Sequence, residues 1–490
     1  MSLEAAFAPY RRNIIGIDAE FDAGFGPRRI IYADWTASGR MYRPIEDKMS
    51  GQIAPYVANT HTETSFCGTT MTRAYAEAMS TIRRHVNATD SDAVICYGTG
   101  MTAVVNKLQR MLGLRIHERF RSSIQIDPEQ RPIVFITHME HHSNQTSWLE
   151  TIAEVRIIGH TDDGLVDLDS LRRLTAEYAD RPMKIAAVTS CSNVTGIMTP
   201  YHEIAEIIHE VGGYCFVDFA CSAPYITIDM HPEDRPNGWL DAIYFSPHKF
   251  LGGPGTSGVL VFSKALYTNS VPDNPGGGTV VFTNPWGVHQ FIDDVEARED
   301  GGTPGFLQVM RTALCLRLKE QMGIENILAR EKELMHILWN GLSQVHGIRI
   351  LAGQHRNRLG VFSFCIDNVH YNLAVRVLND MFGIQVRGGC SCAGTYGHHL
   401  LGISPDSSSG ILCDINDGYV MSRPGWIRAS IHPTMTDAEV HQIVEAVTWV
   451  AEHYRELHEL YRPIPDSNEF ELASISAPDQ LNVSSWFAEV

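Results

Sequence analysis

Short apolar runs alternate with longer amphipathic stretches through the middle of the chain. The runs that predict strands are DAVICY (92–97), RPIVFIT (131–137), KIAAVTS (184–190), GYCFVDF (213–219), AIYFS (242–246) and SGVLVF (257–262). Helical patterns lie between them, for example at 101–113 and 202–211. This alternation is typical of βα units around a mainly parallel sheet, so we expect an α/β fold.

A second region begins after residue 305. From about 305 to 345, apolar residues recur at three- and four-residue spacing with few breakers, which predicts a helical connector. RLGVFSFCI, GIQVRGG and GWIRASIH then predict strands, and a final helix is expected near 436–460. Beyond Pro463 the periodicity is lost, which predicts a loosely packed extension. The predicted organisation is an N-terminal segment (1–45), a large domain (46–320), a smaller α+β domain (321–462) and a tail (463–490).

Composition and charge narrow the class of protein. The chain has 490 residues, enough for more than one hydrophobic core. Its net charge of −18 argues against a general binder of nucleic acid or anionic membranes, since both need a positive surface. The sequence contains no transmembrane-length apolar run and no signal-peptide pattern at its start. Its ten cysteines are scattered, so we expect a soluble protein of the reducing cytoplasm.

A polar or glycine-rich cluster follows each central strand, where ligands bind in open α/β sheets. After the first strand, GTGMTAVVNKL opens a helix with a glycine turn suited to a phosphate. Gly98, Gly100 and Ala103 also fit a dinucleotide fingerprint. That site needs an acidic residue at the end of the next strand, and RIHERFRSS is no strand. The fingerprint alone is therefore weak, and a plain tight turn is an alternative explanation of the glycines.

The next cluster holds three histidines, His138, His141 and His142. A metal site needs further cysteine or carboxylate ligands at defined spacing, and the sequence does not clearly supply them. We therefore predict no metal. Imidazoles at this position could instead stack on an aromatic ligand or move protons.

Two later clusters bring a carboxylate and an amine. Asp218 ends a very apolar strand, where it either caps a helix or acts as a buried anion for a cationic ring nitrogen. Ser246, His248 and Lys249 follow the next strand. A lysine there is costly to bury as a charge, so its amine should be used chemically or paired. A phosphate site, a buried carboxylate and a lysine together predict pyridoxal 5'-phosphate.

An ordered set of motifs supports this cofactor. It comprises YADWTASGR, ANTHTE, MEHHSNQTSW, SNVTG, VDFACSA, SPHKFLGGPGTSGVL, GGTPG, RGGCSCAG and WIRASIHPT. Across roughly residues 28–460 the chain resembles the class V aminotransferase family of fold-type I pyridoxal-phosphate enzymes. It is most similar to the cysteine desulfurase and selenocysteine lyase branch. The resemblance implies a large cofactor-binding domain with a mainly parallel sheet and a smaller α+β C-terminal domain.

The resemblance also implies roles for individual residues. Lys249 would hold the cofactor covalently and move protons at the substrate carbon, Asp218 would pair with the ring nitrogen, and His141 would stack on the ring. Asn193 would lie near the ring hydroxyl. The phosphate would be held by Gly100, Met101 through its backbone, Thr102, Ser246 and His248.

Further implied roles concern the substrate and a second subunit. Arg428 would clamp the substrate carboxylate, with Ala37 and Asn193 also at the substrate. Thr303 would reach the phosphate of the partner subunit, so a homodimer with shared active sites is implied. The branch places its sulfur nucleophile at Cys392, whose thiolate Arg387 could favour. The expected reaction removes sulfur or selenium from L-cysteine or a relative and leaves alanine, with a possible sulfur-acceptor protein.

The chain departs from that branch at three places. Cys390 stands where histidine is more usual, Cys221 replaces a common glutamine, and residues 395–425 form an insertion-like stretch. Cys390 and Cys392 could also be small buried residues or a redox pair. Transamination, epimerisation or another β-elimination would make Cys392 dispensable. A non-catalytic protein and a dinucleotide oxidoreductase are the remaining alternatives.

Overall fold

A computed structural model describes residues 2–473 and 481–488, and the chain divides into two compact units. The large unit comprises Ser38–Ser192 and Ile197–Glu325. The small unit comprises Met1–Ala37, Asn193–Gly196 and Asn326–Val490. The four residues Asn193–Gly196 therefore belong to a unit otherwise made of the two chain ends.

The large unit is built on a seven-stranded sheet. In spatial order its strands are Asp92–Tyr97, Gly258–Ser263, Ala242–Phe245, Tyr214–Asp218, Lys184–Thr189, Ile133–Ile136 and Glu154–Ile157. Only Gly258–Ser263 runs antiparallel to its neighbours. The predicted α/β class with a mainly parallel sheet is confirmed, and all six predicted strands are present. Glu154–Ile157 escaped prediction because it is a short, half-exposed edge strand without an apolar run.

Within its described residues, the large unit also contains nine α-helices, most of which bury one face. They are Arg43–Lys48, Phe66–His85, Met101–Met111, Glu118–Arg121, His142–Leu149, Leu168–Glu177, Tyr201–Glu210, Val295–Glu299 and Phe306–Met322. In Met101–Met111 the side chains of Val104, Val105 and Leu108 are fully buried in the core. Their spacing of one, three and four residues puts them on one helix face, as the apolar periodicity predicted.

The helical stretch predicted from 305 to 345 is two helices, not one. Phe306–Met322 ends at Gly323, and Ile324–Leu342 follows directly. Gly323 has φ of +79°, a left-handed conformation that glycine adopts without steric cost. The break therefore needs no proline or polar cluster, which is why the pattern of apolar residues did not reveal it.

The small unit has a four-stranded antiparallel sheet in the order Ile348–Ile350, Val361–Ile366, Trp426–Ser430 and Arg387–Gly389. Its helices are Leu3–Arg11, most of Ile324–Leu342, Tyr371–Phe382, Gly394–Leu401, Pro405–Asn416, Asp437–Glu452 and Tyr454–Leu460. The predicted strand GIQVRGG is split. Its first part, Ile384–Gln385, pairs in parallel with Ile31–Tyr32 and so ties the N-terminal segment into this unit.

Two C-terminal stretches contain secondary structure that was not predicted from the sequence. Residues 395–425 form two helices, and Pro405–Asn416 has no buried residue. After Pro463, Phe470–Leu472 pairs with Tyr461–Pro463, and Phe470 and Leu472 are buried, so this part is not loosely packed. Residues 474–480 and 489–490 lie outside the described residues. Within the described residues, every helix is too short or too polar to cross a membrane.

Leu338→Ala tests the core of the small unit. Leu338 is fully buried on Ile324–Leu342, and its truncation removes apolar contacts and leaves a cavity. We expect the free energy of unfolding, measured by urea titration with circular dichroism, to fall by about 2–5 kcal/mol. Leu412→Ala is the matched control, because Leu412 is 59% exposed, and we expect a change within about 0.5 kcal/mol. Equal effects of the two substitutions would contradict this description of the core.

Candidate active site

Within the large unit, chemically active side chains gather at the carboxyl edge of the sheet. Asp218 is the last residue of its strand, and Ser246 and Lys249 follow the adjacent strand Ala242–Phe245. Parallel strands present their carboxyl ends at one edge, so clusters distant in sequence become neighbours. This is the arrangement that the sequence predicted.

A glycine turn and a helix start form a cradle at this edge. The backbone N–H of Met101, at the start of Met101–Met111, donates to Ser246 Oγ at 2.8 Å. A Cβ atom on Gly100 would lie 3.2 Å from Ser246 Oγ and 3.6 Å from the His248 ring, so these three residues are close together. Thr102 Oγ1 lies 2.7 Å from Ser143 Oγ. Helix N-termini with free N–H groups attract phosphate.

A cavity of about 800 Å³ opens beside this cradle. Its lining includes Gly98, His248, Thr256 and Thr303. Thr256 Oγ1 is buried and has no hydrogen-bond partner among the described residues, so it could serve a ligand. Thr303 is exposed in the cavity wall. Its predicted reach to the phosphate of a partner subunit stays a prediction.

Asp218 is a buried carboxylate and not a helix cap. It is 2% exposed, and Oδ1 accepts a hydrogen bond from the Ala220 N–H at 2.8 Å. Burial raises the pKa of Asp218 to about 6, although the Ala220 N–H and then the positive charge of Lys249 act in the opposite direction. A cation brought next to Asp218 would therefore be strongly stabilised.

Lys249 ends a short 3₁₀ turn, Pro247–Lys249, that follows the strand Ala242–Phe245. Burial, and secondarily the charge of Lys249, lowers the pKa of His248 to about 4, so His248 is neutral at pH 7. The turn packs against Gly39, whose N–H donates to His248 O at 2.9 Å. A Cβ atom on Gly39 would lie 1.8 Å from Phe250 O, so the motif YADWTASGR needs glycine there.

Glu140 is a second buried carboxylate, and it was not predicted from the sequence. Its Oε1 accepts hydrogen bonds from Thr137 Oγ1 at 2.6 Å and from the Thr189 N–H at 2.9 Å. Its Oε2 accepts from Asn144 Nδ2 at 2.7 Å, and Asn144 Oδ1 in turn accepts from Tyr244 OH at 2.6 Å. Burial raises the pKa of Glu140 to about 7. The sequence did carry a signal for Glu140, since this carboxylate comes shortly after an apolar strand, and Asp218 ends one.

His141 begins the helix His142–Leu149 and is fixed by it. Its Nδ1 accepts a hydrogen bond from the Ser143 N–H at 3.1 Å. His138 instead lies 3.1 Å from Gly164 O through Nε2. Across residues 2–473 and 481–488, no three His, Cys, Asp or Glu side chains are grouped so that they could hold a metal ion.

Within the small unit, Arg428 and Asn193 form a second cluster. Arg428 is 3% exposed on Trp426–Ser430; Nη2 pairs with Asp34 Oδ1 at 2.8 Å and Nη1 donates to Asn193 O at 3.1 Å. Asn193 Nδ2 donates to Ser391 O at 2.7 Å. Arg428 Nε, Asn193 Oδ1 and Ser391 Oγ have no hydrogen-bond partner among the described residues. Buried polar atoms without partners are costly, so a polar ligand would stabilise this cluster.

Asp34 was also missed, although it lies in YADWTASGR. Besides Arg428 it pairs with Arg387, whose Nη2 lies 3.0 Å from Asp34 Oδ2. Asp34 O accepts a hydrogen bond from the Ala37 N–H at 3.0 Å, which places Ala37 in the same turn. The charge of Arg387, which the sequence analysis assigned to the Cys392 thiolate, is therefore balanced by Asp34.

Cys392 is exposed and lies in a strained turn. Ser391 and Cys392 have φ of +51° and +56°, and neither is glycine. Left-handed residues of this kind cost about 1–3 kcal/mol each and cluster at functional sites. None of the ten cysteines, all of which lie in the described part of the chain, forms a disulfide bond; Cys221, one of the departures from the family pattern, is buried with Sγ 3.7 Å from Ser192 O.

Comparison with known proteins identifies the family. A model of the aminotransferase class-V family matches residues 31–443. The chain belongs to this family. It is 29% identical to a probable cysteine desulfurase of Halalkalibacterium halodurans over 369 residues, 74% of this chain and 84% of that one. It is 28% identical to a probable cysteine desulfurase of Staphylococcus epidermidis over 371 residues, 75% of this chain and 84% of that one.

Solved structures show the same fold. The cysteine desulfurase CsdA of Escherichia coli superposes with a TM-score of 0.70 at 22% identity, covering 91% of this chain and 98% of that one. The cysteine desulfurase of Thermococcus onnurineus NA1 gives 0.69 at 21% identity, covering 86% and 95%. These structures show a fold of type I, as predicted. Membership of the aminotransferase class-V family makes the protein a pyridoxal-phosphate-dependent enzyme.

The residues of the large unit fit this cofactor. Lys249 supplies the amine that pyridoxal phosphate requires, and buried Asp218 supplies an anion for its ring nitrogen. The cradle of Gly100, Met101 and Ser246 suits its phosphate. The individual contacts of these residues with the cofactor stay predictions.

The raised pKa of Asp218 predicts a pH-dependent stability of the cofactor-free protein. The folded pKa of about 6 exceeds the ordinary value of 3.8, so the folded state binds the extra proton between these values. The stabilisation is present below about pH 4 and is lost as the pH rises through 6. Asp218→Asn lacks this loss. We expect its free energy of unfolding, relative to the parent, to rise by on the order of 2 kcal/mol from pH 4 to pH 7.

Urea titrations of the cofactor-free proteins across this pH range measure the difference. Asp180→Asn is the control, since Asp180 is exposed, and its difference from the parent should stay flat. A flat difference for Asp218→Asn as well would contradict the burial of a costly carboxylate at this position.

Proposed function

We propose that the protein removes sulfur from L-cysteine, leaving alanine, and that Cys392 takes the sulfur atom as a persulfide. The observation that carries the proposal is the exposed Cys392 thiol in a turn whose preceding residue, Ser391, is held by Asn193. Asn193 in turn contacts Arg428 through its carbonyl. The relatives named probable cysteine desulfurases support the same reaction.

Each residue has a distinct role in this proposal. Pyridoxal phosphate, when bound, withdraws electrons from the Cα atom of an attached amino acid. Lys249 would hold the cofactor and would move protons at the substrate carbon. Asp218 would keep the ring nitrogen protonated, because its buried carboxylate favours a neighbouring cation. His141 would lie against the ring.

The substrate is recognised through its carboxylate and its sulfur. Arg428 binds the carboxylate with its planar guanidinium, whose Nε is buried and has no partner among the described side chains and backbone. The Cys392 thiolate then attacks the substrate sulfur. An S–S bond forms as the Cβ–S bond breaks, and the electron pair left on carbon takes a proton to give alanine.

The remaining parts of the proposal concern the assembly. Thr303 would contribute to the phosphate site of a second subunit, so the enzyme would be a homodimer with shared active sites. A cytoplasmic location suits ten free thiols, two of them exposed. A sulfur-acceptor protein could receive the persulfide. The alternative is transamination, epimerisation or another elimination on a different amino acid. The products formed from L-cysteine by the parent and by Cys392→Ala distinguish this alternative from sulfur removal.

Cys392→Ala tests the nucleophile. The parent with L-cysteine and a thiol reductant should release equimolar alanine and sulfide, and loss of the nucleophile should lower both rates by at least about 100-fold. The visible absorbance of the bound cofactor should persist in this variant, whereas Lys249→Ala should lose both the products and the absorbance. Cys413→Ala, which removes the other exposed thiol, should match the parent. A coloured parent that binds amino acids but releases no sulfide would favour the alternative reactions.

Arg428→Gln tests recognition of the substrate carboxylate. Loss of a charge-assisted contact should raise KM for L-cysteine about 10- to 100-fold. Cysteamine, which lacks the carboxylate, separates this effect from general damage. The parent should strongly prefer L-cysteine, and Arg428→Gln should lose this preference.

Arg387→Gln is the matched control, because it removes the other guanidinium paired with Asp34. It should keep the preference for L-cysteine over cysteamine. An unchanged preference in Arg428→Gln would remove Arg428 from the substrate site.

A further inference from the structure

Two thiols share one tight turn in the small unit. Cys390 is partly exposed, Cys392 is exposed, and only Ser391 separates them. The Ala393 N–H donates to Cys390 O at 3.0 Å, which closes a β-turn over these four residues. Both central residues, Ser391 and Cys392, have positive φ, the pattern of a type I′ turn.

The neighbouring structure holds this turn in place. Type I′ turns favour glycine or asparagine at both central positions, and this one has neither. Asn193 Nδ2 donates a hydrogen bond to Ser391 O at 2.7 Å. Ser391 is 8% exposed, whereas the cysteines on either side of it reach solvent. Strained backbone that the surroundings maintain is a signature of function.

The spacing allows the two thiols to react with each other. Residues two apart in a chain have Cα atoms at most about 7 Å apart, and a turn brings them closer. Disulfides span Cα separations of about 4.4–6.8 Å. The other exposed thiol, Cys413, lies on Pro405–Asn416 with Sγ 3.9 Å from Asp417 Oδ2. The chain itself therefore holds the Cys390 thiol within reach of Cys392.

We propose that Cys390 is a resolving thiol that releases sulfide from Cys392. This inference rests on the proposed function, which leaves a persulfide on Cys392. The Cys390 thiolate attacks the Cys392 Sγ atom, a Cys390–Cys392 S–S bond forms, and the persulfide S–S bond breaks. The outer sulfur leaves with the electron pair as hydrosulfide. The sulfane sulfur is thereby reduced, and the two cysteines are oxidised to a disulfide.

A thiol reductant must then regenerate the pair before the next turnover. Because the ring closed by the disulfide is small and exposed, the bond should be readily reduced. The enzyme would thus release free sulfide in step with reductant supply, and it would stop in the disulfide form without reductant. This behaviour differs from handing the persulfide to an acceptor protein.

A single-turnover experiment without reductant tests the inference. The reduced, desalted, cofactor-loaded full-length protein receives one equivalent of L-cysteine, and alanine, sulfide and protein-bound persulfide are measured. The parent should release about one sulfide for each alanine and contain a Cys390–Cys392 disulfide in its peptide mass map. Cys390→Ser, and Cys390→Ala as a second variant, should keep the persulfide on Cys392 and release at least about tenfold less sulfide.

Cys413→Ser is the matched control and should behave as the parent does. Treatment of the cofactor-free protein with diamide gives a readout independent of turnover and should link Cys390 to Cys392. Alanine formation with a persistent persulfide in the parent, or no Cys390–Cys392 link after diamide, would overturn the inference and leave the proposed function standing. Absence of alanine in every protein would overturn the proposed function, and the role of Cys390 with it.

Discussion

The candidate active site of the large unit depends on one constraint, the free-energy cost of removing the Asp218 carboxylate from water. The strand Tyr214–Asp218 is a central strand of the sheet. Its last side chain, at the carboxyl end of the strand, is therefore buried. One backbone N–H and the charge of Lys249 offset part of the cost, yet the pKa remains raised. The fold therefore maintains an anion that a cationic ring nitrogen would stabilise. The buried carboxylate of Asp218 therefore supports pyridoxal phosphate as the cofactor as much as Lys249 does.

Glu140 is a second buried carboxylate near Asp218 in the fold, and it is held by a network of hydrogen bonds. Its carboxylate receives hydrogen bonds from Thr137, Thr189 and Asn144, and Asn144 is held in turn by Tyr244. The network joins the ends of several strands, and Glu140 immediately precedes His141. Buried polar networks that are fully hydrogen-bonded fix side-chain positions because every alternative leaves a buried group without a partner. The residue next to His141 in the chain is thus held in a fixed position.

The small unit is organised by the bridging carboxylate of Asp34. It pairs with both Arg387 and Arg428, and so leaves only part of the Arg428 guanidinium for a ligand. Arg428 and Asn193 are also connected to the strained turn through Ser391. The residues proposed to bind the substrate and to take the sulfur are therefore linked by hydrogen bonds within one unit. The departure of Cys390 from the family pattern lies in this same turn.

The sequence by itself determined the fold class, the order of the central strands along the chain and the cofactor type. Apolar runs, helical periodicity and the residues after each strand depend only on residues close together in the chain. They can therefore be recognised in the sequence alone. The sequence also singled out Asp218, Lys249 and the Cys390–Cys392 pair, because each is a reactive group at an unusual position. The ordered motifs then indicated the family, which the comparisons confirmed.

Only the tertiary structure decided which partners these groups meet. It revealed Glu140 as a buried carboxylate, paired Arg387 with Asp34 instead of leaving it for Cys392, and assigned Asn193 to the same unit as Arg428. It also divided the expected helical connector into two helices and folded part of the expected loose tail. Hydrogen bonds and ion pairs between residues hundreds of positions apart depend on chain topology and burial, which no local pattern contains.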